Sequence, residues 1–302
     1  MNTPNSEESA LKDQQLFLYG MMASMFCWGL SWTSGKIVSH YADGAIIAFF
    51  RFSITFSSML FVVLIMKIKF QIQRDGWGYL AISAILISLY SYLFFQGLTV
   101  GKAGAAGVLV TILNPIISYA IMLIMQKRFP NKKESLGLLL GLFAGVVLLK
   151  LWSSWDTIFY AGNSYFLLAS FTWAILSIFT AKASKYGSPV AFSFWMYAIG
   201  TLIMFMIVDK PQSLALLTSA DGLFWGNMIF SATITTAFAT TFYFVATSKI
   251  GASKASSFIF LVPFSATLGS WIFLSEIPLW NTLLGGVLGI AAVYVLNKKV
   301  KA

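Results

Sequence analysis

The chain has 302 residues, 58% of them apolar and only 10% charged, with a net charge of +10. A soluble domain carries roughly 25% charged residues, so a soluble fold is excluded. The single cysteine, Cys27, and the single histidine, His40, leave no disulfide framework and no Cys/His metal cluster.

The charges stand in short clusters between apolar runs of about 20 residues, the length of helix that crosses a hydrocarbon core. This pattern predicts an all-α integral membrane protein. Residues 1–15 form a polar segment with Glu7, Glu8 and Asp13 and lack a basic n-region and a cleavage site. The first apolar run is therefore read as a spanning helix rather than a signal peptide. Ten spanning helices are predicted, at about 16–38, 45–66, 77–98, 104–126, 135–151, 162–184, 189–208, 222–247, 252–274 and 280–297. The short connections group them as a tail (1–15), a first half (16–151) and a second half (152–302), five helices in each half.

With the N-terminus set in the cytoplasm, fifteen basic residues fall on the cytoplasmic side and four on the other (Lys36, Lys102, Lys150 and Lys210), while Arg51 lies inside a run. The positive-inside rule then places both termini in the cytoplasm, and topology alone accounts for the net positive charge. No nucleic-acid partner is needed to explain it. The partners expected are a lipid bilayer and a small-molecule solute, with the protein a monomer or weak homodimer.

The chain also repeats itself. A shift of 148 sets Gly101–Pro130 on the second half, so that Pro115 meets Pro263, Pro130 meets Pro278, Gly137 meets Gly285 and Gly141 meets Gly289. A shift of 145 sets Trp28 on Trp173. Five is odd, so the second copy enters the membrane from the opposite side. Two five-helix halves in inverted orientation form the arrangement carriers use for alternating access.

The FCWG and FTWA openings, the FFRF of the second helix, the entries GKAGAAG and IGASKAS, the mid-helix prolines and LSEIPLWNTLLGGVLGIAAV occur in duplicate order over the whole chain after the tail. In these motifs the sequence resembles the drug/metabolite transporter superfamily, of the EamA type with ten helices. The resemblance implies a bacterial inner-membrane protein that exports or exchanges a metabolite, with amino acids a frequent substrate class. One departure stands out: the second copy reads LSEIP where the first reads QKRFP, so Arg128 lies opposite Glu276. An acidic cap or gate in both halves is not expected.

Several residues are candidates for the solute site. Trp28 lies at mid-helix, where an indole N–H needs a partner or a cavity; Ser24, Trp32 and Lys36 share its face. Trp173 is its counterpart, followed by Ser177. Arg51 lies about 9 Å deep at 1.5 Å per residue. Its structural reading is a side chain that snorkels outward or bonds helix-end carbonyls; its functional reading is a partner for a solute carboxylate. Tyr90 and the stripe Ser88, Tyr92 and Gln96 make the third helix polar. Its counterpart, the eighth, carries Thr233, Thr236, Thr240, Tyr243 and Thr247. Hydroxyls of this kind either tie helices together or wall a cavity. Pro115 and Pro263 are read as kinks or hinges that free a carbonyl, and Asn114 stands beside the first.

Every acidic residue falls in a tail, a loop or a helix end, which argues against a carboxylate proton relay at mid-membrane. No catalytic constellation or phosphate-binding loop is present, so no enzyme activity, cofactor or metal is expected. The leading expectation is a secondary carrier of a neutral or zwitterionic organic solute, an amino acid or a relative of one. The alternative is uptake or exchange of a nucleotide-like metabolite such as an S-adenosyl compound. A membrane scaffold or enzyme is disfavoured by the inverted repeat and the missing acid/base pairs.

Overall fold

The structure, a computed structural model, describes residues 4–160, 162–183, 185–250 and 257–297. It is all-helical. The first half contains α1 (Pro4–Val38), α2 (Gly44–Ile65), α3 (Trp77–Val100), α4 (Ala103–Met125) and α5 (Lys132–Leu149). The second begins with α6 (Asn163–Ala183), α7 (Pro189–Ile207) and a short α8 (Lys210–Ser219). The eighth span is composite: α9 (Gly222–Ile229), a π-helical segment (Phe230–Thr240) and α10 (Thr241–Ile250). The chain ends with α11 (Leu261–Leu274) and α12 (Trp280–Asn297). Five segments, corresponding to α2, α3, α4, α6 and α7, are by length and composition apolar enough to cross a bilayer singly; the others are shorter, split or more polar.

The predicted spans recur with small shifts at their ends, and three differences stand out. Helix α1 begins at Pro4 and takes in most of the segment read as a tail. Residues 210–219, read as a connection, form α8, capped by the Asp209 side chain with Pro211 in its first turn, where a proline loses no hydrogen bond. The ninth span, expected from 252, is described from Ser257, where a 3₁₀ turn, Ser257–Phe260, leads into α11; Gly251–Ala255 lies outside the described residues.

The two halves pack as images of each other. Exchanging them maps α1 on α6, α2 on α7, α3 on the composite span, α4 on α11 and α5 on α12. The observed neighbours obey that exchange: α1 lies on α11 as α6 lies on α4, and α3 lies on α6 as the composite span lies on α1. The pairs α2–α7, α4–α11 and α5–α12 map onto themselves. The symmetry reaches single side chains. Gly137 of α5 takes Leu296 of α12 against its Cα, and Gly285 of α12 takes Leu148 of α5. A shift of 148 converts one contact into the other. In lipid there is no hydrophobic drive between helices, so such small-residue contacts provide the close packing. Backbone detail follows the repeat as well: Lys127 and Ser275, matched by it, both adopt positive φ (50° and 55°).

Local helix caps account for four of the ten acidic residues. Asp43, Asp209 and Asp221 each accept from an N–H of the helix they precede, and Asn131 and Glu134 form a capping box on α5. An anion at a helix N-terminus faces the positive end of the helix dipole.

Candidate functional site

One cavity of about 350 Å³ lies where the halves meet, lined by α1, α2, α3, α4, α6, α7, the composite span, the 3₁₀ turn, α11 and α12. Its lining reaches Met122 and Leu296, close to the helix ends on the face that carries the termini. In the opposite direction it stops at Arg51, Trp32 and Phe94. There Trp32 packs on Phe94 at 4.6 Å and on Phe166 at 6.2 Å, between ring centroids, and closes the cavity from the far face.

The wall is built from residues that the repeat sets opposite each other. Trp28 and Trp173 meet edge to face at 6.2 Å. Tyr243 lies against Trp28 (5.1 Å) and Tyr90 against Trp173 (4.7 Å). On the α2–α7 side, Phe52 packs on Tyr197 at 5.4 Å; the shift of 145 also pairs those two. The Trp28 indole N–H finds the partner it needs, donating to the Thr235 carbonyl (3.0 Å) and to Thr240 Oγ1 (3.2 Å).

The π-helical turns explain how the eighth span meets both Trp28 and Arg51. Thr235 Oγ1 donates to the Ser231 carbonyl, four residues back, whereas Thr236 and Thr240 donate to carbonyls five residues back, Ser231 and Thr235. A π-helix has a wider turn, which rotates Thr233 off the expected stripe. Thr233 bonds with Ser58 (2.9 Å) and, with Phe238, lines a separate lateral groove. Thr236, Thr240 and Tyr243 remain on the cavity.

Arg51 does not snorkel. It lies seven residues from the start of α2 and is buried, and its Nε and Nη2 both donate to Thr236 Oγ1 (3.0 and 2.8 Å). The rings of Phe94 and Phe95 lie 5.4 and 5.5 Å from its Cζ. Nη1 is buried without a hydrogen-bond partner. Among the described residues no carboxylate lines the cavity. Burying an unpaired ion costs several kcal/mol; a hydrogen bond to a charged group returns about 1.5–3 kcal/mol and an aromatic face about 0.5–2 kcal/mol. The guanidinium is thus held in place but under-compensated.

Of the candidates, Trp28, Trp32, Arg51, Tyr90, Asn114, Trp173, Ser177 and Tyr243 all line the cavity, as does Pro115. Tyr92 does not. It lies two residues, about 200°, from Tyr90 on α3, and its backbone carbonyl lies near Gly44. The cavity face of α3 is Ile87, Tyr90, Ser91 and Phe94, so the stripe through Ser88, Tyr92 and Gln96 was one helix face off. Gln96 instead donates to Asp43 at the start of α2. Pro263 is likewise outside the lining, although its neighbour Val262 contributes. It is the third residue of α11, after a 3₁₀ turn, where the first N–H groups have no intrahelical partner. Pro115 is a true interior proline. The two prolines are therefore not equivalent kinks.

Sequence reasoning missed Ser31, Phe52, Phe94, Thr111, Ser118, Tyr119 and Tyr197, all of which line the cavity. The repeat alignment held the signal for Phe52 and Tyr197, which it pairs.

One polar cluster lies outside the cavity, and a second reaches its lining through Tyr119. At the far face, the Glu276 carboxylate accepts from the backbone N–H groups of Ala103 (3.2 Å) and Gly104 (3.1 Å), capping α4, and Lys36 Nζ donates to the last carbonyls of α3, Leu98 (2.6 Å) and Thr99 (3.2 Å). Lys36 thus caps the C-terminal end of α3. On the terminal face, Arg128 makes a two-pronged pair with Glu134 (2.7 and 2.8 Å), and Tyr119 donates to the same carboxylate (2.6 Å).

Two opposed helical halves enclosing one solute-sized, aromatic and hydroxyl-rich cavity define a membrane transporter. The EamA-like transporter family model matches residues 16–150 and again 160–298, and the chain belongs to that family. It is similar to the uncharacterized transporter YyaM of Bacillus subtilis, with 25% identity over 96% of each chain. An uncharacterized transporter of Archaeoglobus fulgidus is 24% identical over 91% of this chain and 95% of its own. A WAT1-related chloroplast protein of Arabidopsis thaliana is 24% identical over 92% of this chain and 68% of its own. A crystal structure of a protein 13% identical in sequence superposes with a TM-score of 0.63 over 93% of this chain and 96% of the other, a likeness of fold alone.

Proposed function

We propose that this EamA-family transporter is a secondary carrier that exports or exchanges a small organic metabolite, an amino acid or a relative of one, by alternating access. It works in a bacterial inner membrane with both termini cytoplasmic. The observation that carries the reading is the cavity at the interface of two image-related halves, closed on one side by Trp32, Phe94 and Phe166 and extending toward the other. Exchanging the conformations of the halves moves the closure to the opposite face. The cavity size suits one amino-acid-sized solute, and Trp28, Trp32, Arg51, Tyr90, Asn114, Trp173, Ser177 and Tyr243 are the residues proposed to touch it. A nucleotide-like solute is the weaker reading, because Arg51 is the one cation lining the cavity among the described residues.

The test is reconstitution in liposomes with a pool of labelled amino acids, nucleosides, S-adenosyl compounds and organic acids, with and without a proton gradient. Saturable flux of at least one solute, with counterflow that needs no gradient, is expected. No saturable flux for any solute would refute the carrier reading.

A further inference from the structure

We infer that Arg51 is the anion-binding group of the cavity and that the preferred solute is a flat monocarboxylic acid whose carboxylate takes the place of the Thr236 hydroxyl. This rests on the carrier reading and names its substrate class; it departs from the neutral or zwitterionic solute that the sequence suggests.

The first support is the geometry of the arginine fork. Nε and Nη2 present two parallel N–H donors, the side-on arrangement that a carboxylate meets with two oxygens. Here both converge on one neutral oxygen, Thr236 Oγ1, and Nη1 has no hydrogen-bond partner. The Thr236 hydroxyl does not depend on the arginine, because it donates its own proton to the Ser231 carbonyl (2.7 Å). It acts as an exchangeable placeholder.

Charge balance decides between an acid and a zwitterion. Among the described residues the cavity lining holds one cation and no anion. The repeat sets Met196 where Arg51 stands, so the second half adds no second charge. A monoanion makes the closed site neutral, whereas a zwitterion brings an ammonium that finds no counter-charge, only neutral hydroxyls, the Asn114 amide and aromatic faces. A cation alone meets a buried guanidinium. The rest of the lining fits a flat body: Trp28, Tyr90, Trp173 and Tyr243 form a wall of rings in mutual contact. The eighth span bonds Arg51 through Thr236 and Trp28 through Thr240, four residues further along. The cation and the ring wall are thus about one helical turn apart, the reach of a short side chain between carboxylate and ring.

A matched series tests it on the purified full-length protein. Indole-3-propionate, tryptophan, tryptamine and indole-3-propionamide share a ring and differ in charge, and their binding is measured by calorimetry. Indole-3-propionate should bind about tenfold or more tighter than the amide and the amine, and tighter than tryptophan. Arg51→Lys should weaken the acid about tenfold and leave the amide unchanged. Thr236→Val, which removes the placeholder, should tighten the acid several-fold; an arginine that merely braces the π-helical segment would give no gain.

The inference is overturned if none of the four binds, if the amide or amine equals the acid, or if Thr236→Val weakens the acid. Liposome flux separates this from the carrier reading. Saturable flux of some other solute with no preference for acids refutes the inference alone. Absence of all flux refutes the carrier reading, and the binding series still decides the role of Arg51.

Discussion

At the scale of single residues, the most informative side chains are those whose polar atoms had to find partners away from water. Trp28 is one. Its indole donates to two acceptors on the composite span and its ring meets Trp173 and Tyr243. Trp28→Ala and Tyr243→Ala should each lower transport about tenfold or more while the purified protein keeps its elution profile and melting temperature. Unchanged flux would make both residues structural. Asp221 behaves differently. It caps α9, and the Phe224 N–H, followed by the Tyr41 hydroxyl, holds its carboxyl below the usual range. A group whose folded pKa is depressed adds stability above its unfolded pKa, about 4, and loses that stability as pH falls through the lower folded value. Asp221→Asn should therefore lower the melting temperature slightly at pH 7, and the difference should shrink on titration to pH 3. A difference independent of pH would show that the carboxylate charge is not involved. Mid-helix tryptophans and a lone arginine were legible as candidates because such residues are rare at that depth. Tyr92 was misplaced because a polar stripe does not say which neighbour it faces.

At the scale of elements, spans were legible from run length and charge clusters. The π-helical segment was not. Its sequence, Phe230–Thr240, carries no mark of a wider turn, which the hydroxyls of Thr236 and Thr240 accompany by bonding to carbonyls five residues back. The 3₁₀ turn before α11 was equally hidden, since a proline reads the same in a kink and in a first turn. Two predictions belong here. Glu276→Gln removes the charge from the α4 cap, an interaction worth about 0.3–1 kcal/mol at an exposed helix end and up to about 2 in partly buried geometry. It should increase labelling of an engineered Ala105→Cys by a membrane-impermeant thiol reagent from the far face; labelling at the wild-type rate would show that this cap does not hold the closure. Gly137→Val and Gly285→Val press a branched side chain against Leu296 and Leu148 in image-related contacts. Each should destabilise by about 1–3 kcal/mol, and by similar amounts, in thermal or denaturant unfolding. Unequal effects would show that the halves have diverged at their shared interface.

At the scale of the whole molecule, the repeat at 148 carried most of the architecture, because an odd number of spans per copy forces opposed halves. The neighbour pattern and the Gly137–Leu296 and Gly285–Leu148 contacts obey that relation. The charge count adds an orientation. Alkaline phosphatase fused at the C-terminus should be inactive, and active when fused after residue 156; the reverse would invert the proposed topology. The solute was not legible, because recognition depends on side chains from many elements, and only folding places Arg51 and Thr236, 185 residues apart, in contact.

The Glu276 cap has a further consequence. Two identical opposed copies would give the two access states equal free energy, with an equilibrium constant of one by symmetry alone. This chain departs from that degeneracy at the far-face closure. Glu276 holds α4 there, whereas the repeat sets Arg128 at the image position, and its guanidinium is already engaged by Glu134. A difference of about 1 kcal/mol between the two closures shifts the resting populations about fivefold toward one access state. If the proposed alternating access holds, divergence of the copies at this turn contributes a resting bias before any solute or gradient acts.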